Sequence, residues 1–97
     1  MYNVDYFIEK FEKIPENRWC TGVFINGNKR CALGHCGARL DQWNEESEAL
    51  YKLFNNYPTY SITVVNDGPG VSSIKQRILH ALRVIKESLS RKDTSTV

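Results

Sequence analysis

Residues 18–37, RWCTGVFINGNKRCALGHCG, hold the reading on which the fold turns. Their first part, RWCTGVFI, is rich in strand formers and stops at Asn26-Gly27-Asn28, whose residues tolerate a positive φ and favour a tight hairpin turn. A short second strand, Lys29 to Cys31, is expected to return beside the first. From Ala32 to about Leu40 the chain reads as a short helix in which both faces are small or apolar. Cys31, Gly34, His35 and Ala38 share one face, and Leu33, Cys36, Gly37 and Leu40 share the other. A helix with so few charges belongs in an interior, so the stretch reads as a hairpin feeding a buried helix.

Upstream, Val4, Phe7, Ile8, Phe11 and Ile14 recur at helical steps while Glu9, Lys10, Glu12 and Lys13 take the other side. This predicts an amphipathic helix capped by Asn3 and stopped by Pro15. Downstream, Asp41 or Asn44 can cap a helix packed through Ala49, Leu50, Leu53 and Phe54, which Asn55-Asn56-Tyr57-Pro58 ends. Residues 60–65, YSITVV, read as a buried strand, being short, β-branched and bounded by turn residues. The loop NDGPGVSS then leads to a last helix with Ile74, Ile78, Ala81, Leu82, Ile85 and Leu89 in register, capped by Ser72 or Ser73. The expected class is α+β, a small sheet of about three strands (the early hairpin plus the later strand) packed with about four helices. Residues 1–89 are expected to form a single globular domain, and residues 90–97 a flexible polar tail.

The 97 residues fit one core, which at this size buries roughly 60 to 70 % of the unfolded surface. A hydrophobic content of 41 % and a charged content of 25 % are ordinary globular values and indicate neither a disordered nor a membrane class. The N-terminus has neither a basic start nor an unbroken apolar run, so it does not read as a secretory signal, and the chain is expected in the cytoplasm. With three cysteines in a reducing compartment, a disulfide framework is not expected. The net charge of +2 is spread unevenly: residues 41–48, DQWNEESE, are acidic, and the last helix carries Lys75, Arg77, Arg83, Lys86, Arg91 and Lys92.

Three chemistries compete for the cysteine and histidine cluster. The first is a buried, small-residue piece of core, since unbonded cysteine is among the most buried residue types. The second is zinc held by Cys20, Cys31, His35 and Cys36, a Cys₃His set by residue type. It has no CxxC knuckle, and on a helix Cys36 points roughly 140° away from Cys31. The third is a thiolate enzyme in which Cys31, near a helix N-terminus, is the nucleophile, His35 the base and Asn66 or Asp67 the orienting group. The core reading needs the fewest coincidences. No cofactor fingerprint is present.

Asn66 and Asp67 follow a strand and precede a helix, where polar ligand-contacting groups often sit, although such residues more often fix their own loop. The amides after Gly68-Pro69-Gly70 could take an anion with Lys75 nearby, but the spacing is not that of a phosphate loop. Arg77, His80, Arg83, Lys86 and Glu87 read as a solvated face of the last helix; weak nucleic-acid binding through phosphate contacts is the alternative there, against which no recognition motif or aromatic platform accompanies the face. Trp43, beside the acidic stretch, is either a partial core plug or an exposed contact for a partner.

Trp19-Cys20-Thr21-Gly22, then Cys31-Ala32-Leu33-Gly34 after a hairpin, then Asn66-Asp67-Gly68 before an amphipathic last helix resembles a pattern in small bacterial and phage proteins classed as a domain of unknown function. The resemblance covers most of residues 4–89. It implies a common fold and no established activity, and it draws attention to Trp19, Cys20, Cys31, Asn66 and Asp67. In that pattern the positions of His35 and Cys36 are usually small or apolar, which counts against a family-wide metal or catalytic role for the pair. The expectation is therefore a binding or interaction module with a protein or small-molecule partner. Its candidate ligand site is Trp19, Asn66 and Asp67.

Overall fold

The computed structural model describes residues 2–21, 23–39, 41–55, 65–66 and 73–95, with side chains described up to Leu89 in the last helix. Among these residues the chain forms α1 (Val4–Glu12), a 3₁₀ turn (Glu16–Arg18), β1 (Ile25–Asn26), β2 (Lys29–Arg30), α2 (Ala32–His35), α3 (Glu45–Asn55) and α4 (Ile74–Ser95). The class is α+β. The sheet seen is the antiparallel pair β1 and β2, with Ile25 opposite Arg30 and Asn26 opposite Lys29. Residues 60–64 of the expected third strand lie outside the described residues, and Val65, its last residue, is helical.

Each helix begins where a side chain can satisfy its first amides. Asn3 caps α1, its Oδ1 accepting from Tyr6 N at 2.9 Å. Asn44 and Ser47 cap α3 reciprocally: Asn44 Oδ1 accepts from Ser47 N at 2.8 Å, and Ser47 Oγ accepts from Asn44 N at 3.1 Å. Ser73 Oγ accepts from Gln76 N at the start of α4. Helical backbone in α4 continues beyond Leu89 to Ser95, because SRKDTS contains no glycine or proline to stop it.

Two local expectations need correction. Helix α2 stops at His35 rather than near Leu40, since Gly37 turns the chain at φ +98°. A Cβ there would run into the Asn44 side chain, so the same glycine that ends α2 makes room for the cap of α3. The expected strand RWCTGVFI is also interrupted. Trp19 makes an isolated parallel bridge to Arg30, Cys20 Sγ donates to the Val23 carbonyl at 3.5 Å, and only Ile25 enters the ladder.

The core joins Phe7 and Phe11 of α1, Leu50 and Phe54 of α3, and Ile78, Leu79, Leu82 and Ile85 of α4, with Trp19, Leu33 and Cys36 between them. Burying each large apolar side chain contributes about 1.5–3 kcal/mol. Helix α1 lies along α4, and the seam is electrostatic at its edge. Arg83 pairs with Glu12 at 3.2 Å, Lys86 pairs with Asp5 at 2.7 Å, and Lys75 Nζ donates to the Glu12 carbonyl at 2.9 Å. The basic side of the last helix thus has a structural partner in the first one. No helix among the described residues is long and apolar enough to cross a membrane.

Candidate functional site

Helix α2 is held by backbone and polar contacts on every side, which explains the small residues in CALG. Cys31 is its cap: Sγ accepts from Gly34 N at 3.4 Å, and Cys31 N donates to the Phe24 carbonyl at 3.2 Å. Gly34 presses against that carbonyl so closely that a Cβ would overlap the Phe24 oxygen. Asn66, buried and 46 positions from Cys20, ties the hairpin to the helix: Nδ2 donates to the Cys20 carbonyl at 3.0 Å while Oδ1 accepts from Ala32 N at 3.0 Å. Arg77 of α4 then holds the segment from behind, donating to the carbonyls of Val65 and Asn66 at 3.0 and 2.9 Å.

Trp19 and His35 form the second half of this region. An aromatic line runs from Phe7 to Phe11, then edge-on to Trp19 at 5.3 Å, then to the His35 ring at 4.7 Å. His35 Nε2 lies 2.9 Å from the Arg18 carbonyl, and because a carbonyl only accepts, Nε2 carries the proton of the neutral ring. Burial pushes the His35 pKa down, and the charges of Arg30 and Lys10 push the same way against the Arg18 hydrogen bond. Among the described residues the buried Trp19 indole N–H has no acceptor.

Cys36 points into a different neighbourhood. Lys10 and Glu46 form a short, half-buried ion pair there, linking α1 to α3. Burial raises the Cys36 thiol far above its ordinary range, and the Glu46 carboxylate adds to that. Burial also raises the Tyr6 phenol. For Lys10, burial works against the charge, but the hydrogen bond and charge of Glu46 outweigh it and its pKa is raised.

The structure thus places the sequence candidates as follows. Cys20, Cys31 and Cys36 are all buried, and among the described residues no group of three or more His, Cys, Asp or Glu side chains is arranged to hold a metal ion. Cys31 and His35 lie on one short helix, with the thiol turned to the Gly34 amide and the Nε2 edge turned to Arg18. Asn66 binds the carbonyl of Cys20, the residue that follows Trp19 in the chain. Asp67 and the Gly68-Pro69-Gly70 loop lie outside the described residues.

A surface that the sequence only hinted at is built by the hairpin and α3. Phe24, Trp43 and Tyr51 stand in series, ring to ring at 5.8 and 5.6 Å, each pair at 89°. Trp43 is 36 % and Tyr51 43 % exposed, and Val23 and Ile25 beside Phe24 are 52 % and 40 % exposed. The only signal in the sequence was Trp43 next to an acidic run. Phe24 and Tyr51 are far from it in the chain and meet it only in the fold.

No family model matches this chain, and neither does any curated protein or solved structure. The functional reading therefore rests on the chemistry of the molecule itself.

Proposed function

We propose that the chain is a small cytoplasmic binding module that engages a protein partner through the aromatic face of Phe24, Trp43 and Tyr51. The observation that carries this reading is the ring-to-ring series of Phe24, Trp43 and Tyr51, of which Trp43 and Tyr51 are exposed. Single exposed apolar residues need no explanation, whereas a contiguous set of them marks a surface that is covered in use. Trp and Tyr are the residue types that such contacts favour. The test is a photo-crosslinking side chain placed at position 51 and, as a control, at the exposed His80 of α4. Discrete products from position 51 that vanish with Trp43→Ala support the reading. Equal products from both positions, or none from position 51, remove it.

A second reading, a small-molecule site at Trp19, Asn66 and Asp67, draws on the indole N–H, a buried donor suited to an acceptor group of a ligand. Asn66 already uses both ends of its amide on the backbone, so the recognition would fall to Trp19 and Asp67. Polar small molecules that raise the melting temperature of the native chain but not of Trp19→Phe would support it. No thermal protection by any of them would dismiss it.

A further inference from the structure

Cys20 and Cys31 follow the two residues of a parallel bridge, and we propose that they form a reversible disulfide by exchange with an oxidised low-molecular-weight thiol, a redox switch at the start of α2. Trp19 bridges Arg30 in parallel, with Cys20 N donating to the Arg30 carbonyl at 3.1 Å. One step further along a parallel pair, residues 20 and 31 are neighbours whose side chains leave the same face. The backbone at Cys31 is still extended, at φ −79° and ψ 175°, so the pairing direction holds there. The next rung would run from Ala32 N to the Cys20 carbonyl, and the Asn66 amide takes both groups instead, each at 3.0 Å. A direct rung before the cysteines and an amide-wide one after them set their Cα atoms toward the long end of the roughly 4.4–6.8 Å that a disulfide spans.

Both residues stand as thiols and lie just under the surface, Cys20 7 % and Cys31 8 % exposed against 2 % for Cys36. Thr21 and Val23, which follow Cys20, are exposed, so a small movement of this segment uncovers Cys20 first. The Cys20 bond to the Val23 carbonyl at 3.5 Å and the Gly34 N bond to Cys31 at 3.4 Å are weak, as sulfur hydrogen bonds are. In the exchange the Cys20 thiol loses its proton to solvent and its thiolate attacks RSSR, forming Cys20–S–SR and expelling RS⁻. The Cys31 thiolate, its proton also gone to solvent, attacks the Cys20 sulfur and expels the second RS⁻. The two cysteines lose two electrons, RSSR gains them, and protonation gives two RSH. Oxidation takes the Cys20 S–H away from the Val23 carbonyl and ties residue 20 covalently to the cap of α2. In a reducing compartment the disulfides that do form are mostly transient and redox-sensing, which is the behaviour expected of this pair.

The experiment equilibrates the native protein with mixtures of oxidised and reduced glutathione, quenches in acid, alkylates and reads the mass. The expected product has lost two hydrogens, keeps Cys36 as its one alkylated thiol, yields a linked Cys20–Cys31 peptide on digestion and reverts with dithiothreitol. Because the fold brings the sulfurs together, the equilibrium constant for forming the bond should exceed that of the same chain in urea by at least about tenfold. By linkage, the oxidised protein should then unfold at a higher urea concentration than the reduced one. Cys31→Ser, which leaves Cys20 without the thiol that resolves it, should accumulate the mixed disulfide with glutathione. A bond to Cys36, a parent that stops at mixed disulfides, or equal constants in the native and the urea-unfolded chain overturns the proposal. Burial slows the access of glutathione, so the reduced chain is also refolded from urea in the same mixtures. A Cys20–Cys31 bond found only after refolding would be a folding staple and would overturn the switch, and three alkylated thiols in both arms would overturn the pair itself.

Discussion

Asn66 donates to the Cys20 carbonyl across 46 positions of chain, and the other end of the same amide takes the N–H of Ala32. One buried side chain therefore closes a loop edge and the first turn of α2 together. Asn66→Ala would take away the acceptor of the Ala32 N–H and a donor to the Cys20 carbonyl, and should lower stability by roughly 2–4 kcal/mol. Asn66→Asp is the sharper variant. It keeps an acceptor for Ala32 but sets a carboxylate against the Cys20 carbonyl, so its buried acid should titrate above the ordinary range. The folded form then binds the extra proton, and the variant should regain stability on acidification relative to the parent. Urea unfolding of both at neutral and acidic pH checks this.

Gly34 and Gly27 make a matched pair of substitutions. At Gly34 a Cβ would overlap the Phe24 carbonyl oxygen, a backbone atom that cannot swing aside, so Gly34→Ala should cost roughly 1–3 kcal/mol, toward the upper end. Gly27 sits at φ +64° with nothing within 4 Å of a Cβ. Gly27→Asn should cost under about 1 kcal/mol, because asparagine tolerates this conformation. A similar loss at both positions in thermal melts would contradict the packing of α2 on the hairpin.

His35 gives the fold a pH dependence with a definite sign. Its folded pKa lies below the ordinary 6.5, so the unfolded chain binds the proton more readily. The contribution is complete above the unfolded value and is lost as pH falls from there through the folded pKa. Arg18 presents a carbonyl to the ring, and Arg30 and Lys10 present positive charge, so no carboxylate among these neighbours rescues the imidazolium. His35→Gln keeps a donor and cannot titrate. Between about pH 8 and about pH 5 the parent should lose more stability than this variant.

The helices α1 and α4 were legible because a 3.6-residue period writes the buried face into the chain, and the caps at Asn3, Asn44 and Ser73 are local chemistry. The hairpin turn was legible for the same reason, since Asn-Gly-Asn needs no distant partner. The early end of α2 was not: Gly37 acts there because Asn44, on another element, occupies the space a side chain would fill. The break in the first strand was hidden too, because strand-forming residue types do not reveal a turn closed by a thiol on a carbonyl. Asn66 reads locally as a turn residue, and its two partners lie 34 and 46 positions away. The aromatic face has no period at all, since it draws one ring from the hairpin, one from a loop and one from a helix.

The thiols provide the last prediction. A thiolate reacts and a thiol does not, and burial with Glu46 nearby holds Cys36 in the thiol form throughout the range in which alkylation is normally run. Cys20 and Cys31 are buried as well, one donating to the Val23 carbonyl and the other capping α2. In the native protein all three should therefore label slowly, at a rate that follows transient opening and rises steeply with urea. Cys36→Ala is expected to cost about 1–2 kcal/mol, because it leaves a small void between α1, α2 and α3, and it should speed labelling of the other two through that loss of stability. A single cysteine that labels rapidly in the absence of denaturant would show an exposed thiolate where the structure has a core. In that event the Cys31 and His35 pair would return as a catalytic candidate. Labelling that begins only when a chelator is added would instead mark a bound metal protecting the sulfurs.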